Sequence, residues 1–408
     1  MIVFPINRVP DEMNHARMTW ETLHRPTETS FKWMDEIPSN DKVKPTEYKQ
    51  LLARKIEMKN EPFRFGISLK TISFIPQLIG MTIGSWISPT VGMIIYMGRI
   101  FNALAYILGL YFLIRYFKYG KIAVMFISLL PIMVQQASSL SYDVMNYLEV
   151  MLAIGFITNL AYSKRFSNRN FVQVIGLAIL LLATKPNNIL LLGLIPFVSF
   201  EFKGVLKTLN RPFKSLKLIV SRYKFVFYLL LLITIGFILQ FLMRNEGGLF
   251  HYIHVLLNTL VDAKQNGDLN SILTIGIFGF LGNFTLQLPL WLIFVDVAVL
   301  FLIFLADKKD FFSKDFSILA ALLFPIQVIA TVTVMYLQWT PIVLGHGASV
   351  SVGSQGRYFT PFLILFLPLV ANLGNFEISQ NKVLKISTIT LLVNFLISIF
   401  LIIPFYWM

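Results

Sequence analysis

Seven stretches of this 408-residue chain, 71–98, 122–142, 225–243, 269–295, 316–356, 358–376 and 386–408, contain no charged side chain. Each is about as long as the roughly 20 apolar residues that one membrane-spanning helix requires, or longer. The remaining composition offers no way to fold such runs in water. Charged residues make up only 14% of the chain and hydrophobic ones 56%, whereas a soluble domain carries about 25% charge. The chain therefore reads as an all-α polytopic membrane protein. It has no cysteine, which excludes disulfides, thiolate metal sites and a cysteine nucleophile.

Ten spans follow from the runs and their polar punctuation: 90–117, 121–138, 142–162, 170–184, 187–202, 225–243, 289–306, 316–337, 357–375 and 384–405. Residues 72–86, closed by Ser88-Pro89, read as an interfacial or half-inserted helix, and 270–284 reads the same way. There is no internal repeat, heptad array or low-complexity tract. The expected organisation is a transmembrane bundle over 90–408 with residues 1–89 as an outer-face crown of short amphipathic helices. Within that crown, Phe31 to Ile37 and Glu47 to Lys59 are expected as exposed or interfacial pieces.

The net charge of +14 invites a nucleic-acid partner, but the placement of the cations points to topology instead. Loops that stay in the cytoplasm retain Lys and Arg. Arg115, Lys118, Lys121, Lys164, Arg165, Arg169, the cations between Lys203 and Lys224, Lys308, Lys309, Lys314, Lys382 and Lys385 all fall on one side of the ten spans. Beyond residue 70 the opposite side holds only Lys185, Arg244, Lys264 and Arg357. The basic loop 201–224 serves either as a topology anchor or as a segment lying on anionic lipid. This orientation puts residues 1–70 outside. Met1-Ile2-Val3-Phe4-Pro5 is neither a signal peptide nor a span, so a helix of about 20 residues or more upstream of residue 1 is expected.

Polar groups that lipid would exclude mark function in such proteins, and here they gather at the outer face. In Pro10-Asp11-Glu12-Met13-Asn14-His15 the proline and the acids suit a helix start. Asp11 and His15, at i and i+4, also share a face, as a base or cation site would require. The pattern is not the two-histidine zinc motif. Ser141 or Asp143 in Ser138-Ser139-Leu140-Ser141-Tyr142-Asp143 caps the third span or faces a site. Lys185, in the turn Ala183-Thr184-Lys185-Pro186-Asn187-Asn188, either snorkels to lipid or binds phosphate. Arg357, in Gly353-Ser354-Gln355-Gly356-Arg357-Tyr358, anchors a headgroup or grips a substrate phosphate. Arg99 and Glu149 lie roughly 13 and 9 Å inside their spans at 1.5 Å per residue. They are expected to form a structural ion pair, because an unpaired charge at that depth is costly. His251, His254 and His346 read as interfacial.

Together Pro10-Asp11-Glu12 with His15, the Pro76-centred helix, Arg99 with Asn102, Ser139-Leu140-Ser141-Tyr142-Asp143, Lys185-Pro186 and Gln355-Gly356-Arg357-Tyr358 resemble the bacterial membrane proteins grouped as domain of unknown function 2142. Gly282 to Pro289 is a weaker match. That family in turn looks like the GT-C glycosyltransferases, which take sugars from polyprenyl phosphates and carry an acid in the first outer loop.

The resemblance implies Asp11 as general base, with Glu12 as its partner or as a ligand for an optional divalent cation, Mg or Mn. Arg357, seconded by Lys185, would neutralise the departing lipid phosphate. Asp143, His15 and Tyr358 would shape the sugar or acceptor pocket. The implied partners are membrane lipid, a polyprenyl-phosphate sugar donor and a cell-envelope glycan acceptor, at the outer face of a bacterial cytoplasmic membrane. A flippase for an envelope glycolipid and a non-catalytic envelope assembly protein are the alternatives.

Overall fold

The computed structural model describes residues 3–39, 42–262, 273–307, 312–373 and 378–408. Lys264, Lys308, Lys309, the start of the 270–284 segment and the end of the 357–375 span lie outside them. Among the described residues the protein is all-α apart from two two-residue ladders and the isolated bridges His24–Phe63 and Lys55–Thr90. One ladder is parallel, Arg165–Phe166 with Glu201–Phe202, and the other antiparallel, Phe280–Leu281 with Leu286–Gln287.

The helices run in order α1 (Glu12–Trp20), α2 (Lys32–Asp35), α3 (Pro45–Ala53), α4 (Ile75–Ile87), α5 (Val91–Tyr116), α6 (Lys121–Ser128), α7 (Pro131–Ala137), α8 (Asp143–Ser163) and α9 (Asn168–Thr184). They continue with α10 (Asn210–Arg222), α11 (Lys224–Leu242), α12 (Gly248–Leu260), α13 (Leu290–Ala306), α14 (Lys314–Gln338), α15 (Thr340–Leu344), α16 (Leu367–Ala371) and α17 (Gln380–Trp407). Among the described residues, α5, α8, α11, α14 and α17 are long and apolar enough to cross a membrane, and α9 and α13 are shorter apolar helices at two further expected spans.

The remaining expected spans depart from a single straight helix for identifiable reasons. The 121–138 segment divides into α6 and α7 at Pro131, which has no amide hydrogen and whose ring would strike the carbonyl four residues back. Residues Pro186–Phe197 form a 3₁₀ run bounded by Pro186 and containing Pro196. At about 2 Å per residue this run is longer than an α-helix of equal length. The 357–375 span is likewise built of 3₁₀ pieces, Gly356–Tyr358 and Thr360–Phe366, leading into α16. The half-inserted helix expected over 270–284 is not present in its described part. The short 3₁₀ turn Ile275–Ile277 and the antiparallel hairpin stand there instead.

The expectation for 72–86 fares better: α4 covers most of it and ends at Ser88. It returns antiparallel on α5 through glycines. A Cβ on Gly80 would overlap the Met97 carbonyl oxygen and lie 2.8 Å from Gly98 Cα, and one on Gly84 would lie 2.7 Å from the Met93 carbonyl oxygen. Small residues four apart let two backbones approach in this way inside lipid.

The two crown pieces read as exposed or interfacial differ: α3, in the Glu47 to Lys59 piece, has no buried residue, whereas the other is packed. Phe31, Trp33, Met34 and Ile37 are buried with Trp20, Ile94 and Leu140 in a second core between crown and bundle, which corrects their reading as exposed or interfacial. Glu61 ties this region together by accepting from the Trp20 indole at 2.9 Å and the Phe31 amide at 2.9 Å. The chain start is fastened to the chain end, where the Trp407 indole donates to the Val3 carbonyl at 2.7 Å and the Val43 amide to the Tyr406 carbonyl at 2.8 Å.

Gly80→Leu is expected to destabilise the protein by about 1–3 kcal/mol through overpacking of the α4–α5 contact. Thermal unfolding in detergent measures this, with Gly176→Leu, whose site is open, as the neutral comparison.

Candidate functional site

The site begins with a buried ion pair. Arg99, mid-helix on α5, donates from Nε to Glu12 Oε1 and from Nη2 to Glu12 Oε2, both at 2.7 Å, and neither side chain is exposed. Its guanidinium also donates to the Phe4 and Pro5 carbonyls at 2.8 and 3.0 Å. The amides of Asn7 and Leu140 donate to the same carboxylate at 2.8 and 3.2 Å. One pair therefore fixes the segment before α1, the start of α1 and the turn before α8.

Two expectations are corrected by this geometry. The Arg99–Glu149 pair does not form. Glu149 accepts instead from Thr184 Oγ1 at 2.6 Å, because α8 turns it toward α9 while α5 turns Arg99 toward the crown. Glu12, expected as a partner of Asp11, turns away from it, and both its oxygens are engaged by Arg99, Asn7 and Leu140.

Asp11, one residue earlier, faces the other way. It sits at the N-terminus of α1 with φ +62°, left-handed for a non-glycine residue, and its side chain does not cap the helix. Strain of that kind costs about 1–3 kcal/mol and gathers at functional sites. The freed carboxylate accepts from Arg357 Nη2 at 2.8 Å and Gln355 Nε2 at 3.2 Å. Arg357 Nε donates to Asp143 Oδ2 at 3.2 Å, and Lys185 Nζ donates to Asp143 Oδ1 at 2.7 Å. Two acids and two cations thus alternate in one chain, Asp11–Arg357–Asp143–Lys185. Tyr358 closes it, with Lys185 Nζ 3.7 Å from its ring centroid. His15 stands beside it against the Tyr142 ring, centroids 4.3 Å apart.

The four charges come from four places: the start of α1, the start of α8, the turn after α9 and the 3₁₀ turn Gly356–Tyr358. Asn102 of α5 helps hold the α8 start by donating to the carbonyls of Ser139 and Ser141 at 2.8 and 2.9 Å. Of the site residues of the sequence reading, Asp11, His15, Asp143, Lys185, Arg357 and Tyr358 meet here, while Glu12, Arg99 and Glu149 do not. Asp11 is the reachable carboxylate, its side chain 36% exposed against 1% for Asp143, and Lys185 is 14% exposed against 2% for Arg357.

Spare hydrogen-bonding capacity remains inside the site. Arg357 Nη1, His15 Nδ1, Gln355 Oε1, Ser354 Oγ and Tyr147 Oη are buried without a partner, and such groups are rare unless something else satisfies them. Gln355 and Tyr147 were not singled out as site residues by sequence. Tyr147, four residues after Asp143 on α8, had a signal in that spacing.

Burial works to raise the Asp11 pKa, but the Arg357 guanidinium and His15 beside it hold it below the usual carboxylate value. Burial drives His15 down from 6.5 to about 4, although Asp143 and Asp11 pull the other way. At neutral pH the site therefore presents an ionised Asp11 and an uncharged imidazole. The donor set does not suit a divalent cation: Asp11 is flanked by Arg357, and Glu12 faces Arg99. Among the described residues no three His, Asp or Glu side chains converge as a metal site would need.

Fold and site together define an integral membrane protein with a charged cluster where several helices and turns converge. The chain belongs to the family described as predicted membrane protein (DUF2142), whose profile matches residues 36–366. That range contains Arg99, Asp143, Lys185, Arg357 and Tyr358, while Asp11, Glu12 and His15 precede it. No curated protein and no solved structure matches the chain.

Glu12→Leu is expected to cost about 3–5 kcal/mol by removing the carboxylate that faces the buried Arg99 charge. Glu12→Leu with Arg99→Met should recover most of that loss in thermal unfolding.

A second expectation concerns acid. Between pH 6.5 and about 4 the unfolded chain protonates His15 while the folded protein does not, so stability falls as pH is lowered through that window. Unfolding midpoints should follow that slope, and His15→Asn should flatten it. An identical slope in the variant would assign the acid lability to other groups.

Proposed function

We propose that the protein is an integral membrane glycosyltransferase of GT-C type. It would move a sugar from a polyprenyl-phosphate donor to a cell-envelope acceptor at the outer face of a bacterial cytoplasmic membrane. The observation that carries this reading is the meeting of a reachable carboxylate, Asp11, with two cations, Arg357 and Lys185, at one end of an apolar bundle. Glycosyl transfer from a phosphate needs those two kinds of group side by side: a base for the acceptor and positive charge for the leaving group.

On this reading Asp11 takes the proton of the acceptor hydroxyl as its oxygen bonds to the sugar's anomeric carbon. The bond from that carbon to the phosphate oxygen breaks, and the phosphate leaves with the electron pair. Arg357, through its unpartnered Nη1, and Lys185 receive the added charge. Asp143 holds both cations in place, which makes it a positioning residue. Neutral His15 and the rings of Tyr142 and Tyr358 wall the cluster on the inside. Because Arg357 is shared between Asp11 and Asp143, a bound phosphate would draw it away from Asp11 and free that carboxylate as base.

The orientation rests on the positive-inside rule and on the grouping of loops. The site residues lie at one end, while the strands at Arg165 and Glu201, with the cations around them, meet at the other. We assign residues 1–89 as the outer-face unit and 90–408 as the membrane bundle.

The test is transfer in liposomes from a panel of radiolabelled polyprenyl-phosphate sugars to envelope glycans. Asp11→Asn is expected to lower kcat by about 10²–10⁴-fold, and Arg357→Ala to abolish transfer, with membrane insertion intact in both. Normal transfer by Asp11→Asn would remove it as the base. If no sugar moves across the panel and a labelled glycolipid changes leaflet, the protein is a flippase. If neither occurs and both variants complement a deletion strain, it is an assembly protein.

A further inference from the structure

A second feature lies away from the charged site. The faces of α5 and α8, with Leu180 of α9, enclose a groove of about 690 Å³. Its walls are apolar, formed by Leu113, Leu148 and Leu152 among others, and Gly109 admits the Leu148 side chain close to the α5 backbone. The two ends differ in charge. Glu149 stands at one, held by Thr184 and with Oε1 buried and unpartnered. Arg115 and Lys118 stand at the other. There the Lys118 amide donates to Asn159 Oδ1 and Asn159 Nδ2 donates to the Tyr116 carbonyl, both at 2.9 Å, which locks the end of α5 against α8. The Arg115 guanidinium lies 5.0 Å from the Tyr111 ring centroid.

The geometry points to a binding site for one anionic phospholipid, its phosphate on Arg115 and Lys118 and one acyl chain in the groove ending near Glu149. Three features select that occupant. An apolar groove opening between membrane helices is filled by lipid, since water gains nothing there. The cations decide direction, because a phosphate is attracted to Arg115 and Lys118 and, among the described residues, no cation lines the groove at the Glu149 end. Length decides the leaflet. Glu149 and Asn159 are ten residues apart on α8, about 15 Å at 1.5 Å per residue, which is half of a roughly 30 Å hydrocarbon core. The lipid therefore comes from the leaflet on the Arg115 side, cytoplasmic in the orientation proposed above. This site lies at the end opposite Arg357 and does not depend on glycosyl transfer.

The experiment is native mass spectrometry of the purified full chain in detergent, with phosphatidylglycerol or phosphatidylcholine of identical acyl chains. Phosphatidylglycerol is expected to be retained about thirtyfold more strongly, the order that two cations near a membrane surface supply. Arg115→Gln with Lys118→Gln should bring it to the phosphatidylcholine level. Leu152→Trp, which fills the groove and leaves both cations, should reduce retention of both lipids. Arg165→Gln with Arg169→Gln, cations outside the groove, should change neither. Equal retention of the two lipids, or no loss in the Arg115/Lys118 variant, would overturn the headgroup assignment. Undiminished binding in Leu152→Trp would place the lipid on the protein's rim and overturn the groove.

Discussion

The Arg99–Glu12 ion pair is the constraint on which the upper part of this molecule rests. A guanidinium in the middle of a membrane helix cannot remain unpaired, and its five donors form a rigid fork. Glu12 takes two of them, and the carbonyls of Phe4 and Pro5 accept from the same guanidinium. The crown is thereby drawn down onto α5. Because Glu12 also accepts from the Leu140 amide, the turn entering α8 is set by the same carboxylate. Asp11 and Asp143 reach their common position as neighbours of groups that this pair holds. A buried pair of this kind contributes little net stability against an apolar replacement, and its effect here is on placement.

Placement matters because the cluster is nearly neutral in sum. An unaccompanied acid or cation at such burial would shed its charge or be expelled from the interior. Alternating two of each keeps all four ionised with little water around them. The cluster is then already assembled without a ligand, which is what the proposed stabilisation of a departing phosphate would require. The left-handed Asp11 backbone fits the same logic, since an ordinary helix-capping geometry would have spent its carboxylate on the amides of α1.

Helices and site were legible in the sequence to different degrees. The apolar runs located α5, α8, α11, α13, α14 and α17, because lipid obliges the backbone to satisfy itself locally and locality is what a sequence displays. Runs interrupted by Pro131, Pro186 and Pro196 departed from straight α-helix at those prolines. The site residues were found because polar groups at the ends of apolar helices are conspicuous, but their contacts were not. Arg99 and Glu149 were placed at comparable depth, and depth along a helix follows from a fixed rise per residue. Pairing depends on which way each helix is turned about its axis, and packing sets that. The crown at Phe31 to Ile37 looked interfacial for the same reason: its apolar residues had no visible partner until α4 and α5 supplied one.

The sequence by itself determined that this is an all-α membrane protein, where most of its helices lie, and which polar side chains lipid would not tolerate without a purpose. These are local properties, fixed by hydropathy and by chain geometry over one or two turns. Tertiary structure alone decided that Glu12 belongs to Arg99, that Asp11 and Asp143 share Arg357, and that α5 and α8 together line a groove. Such outcomes depend on long-range packing. Asp11 and Arg357 are 346 positions apart, and no pattern within either segment encodes their meeting.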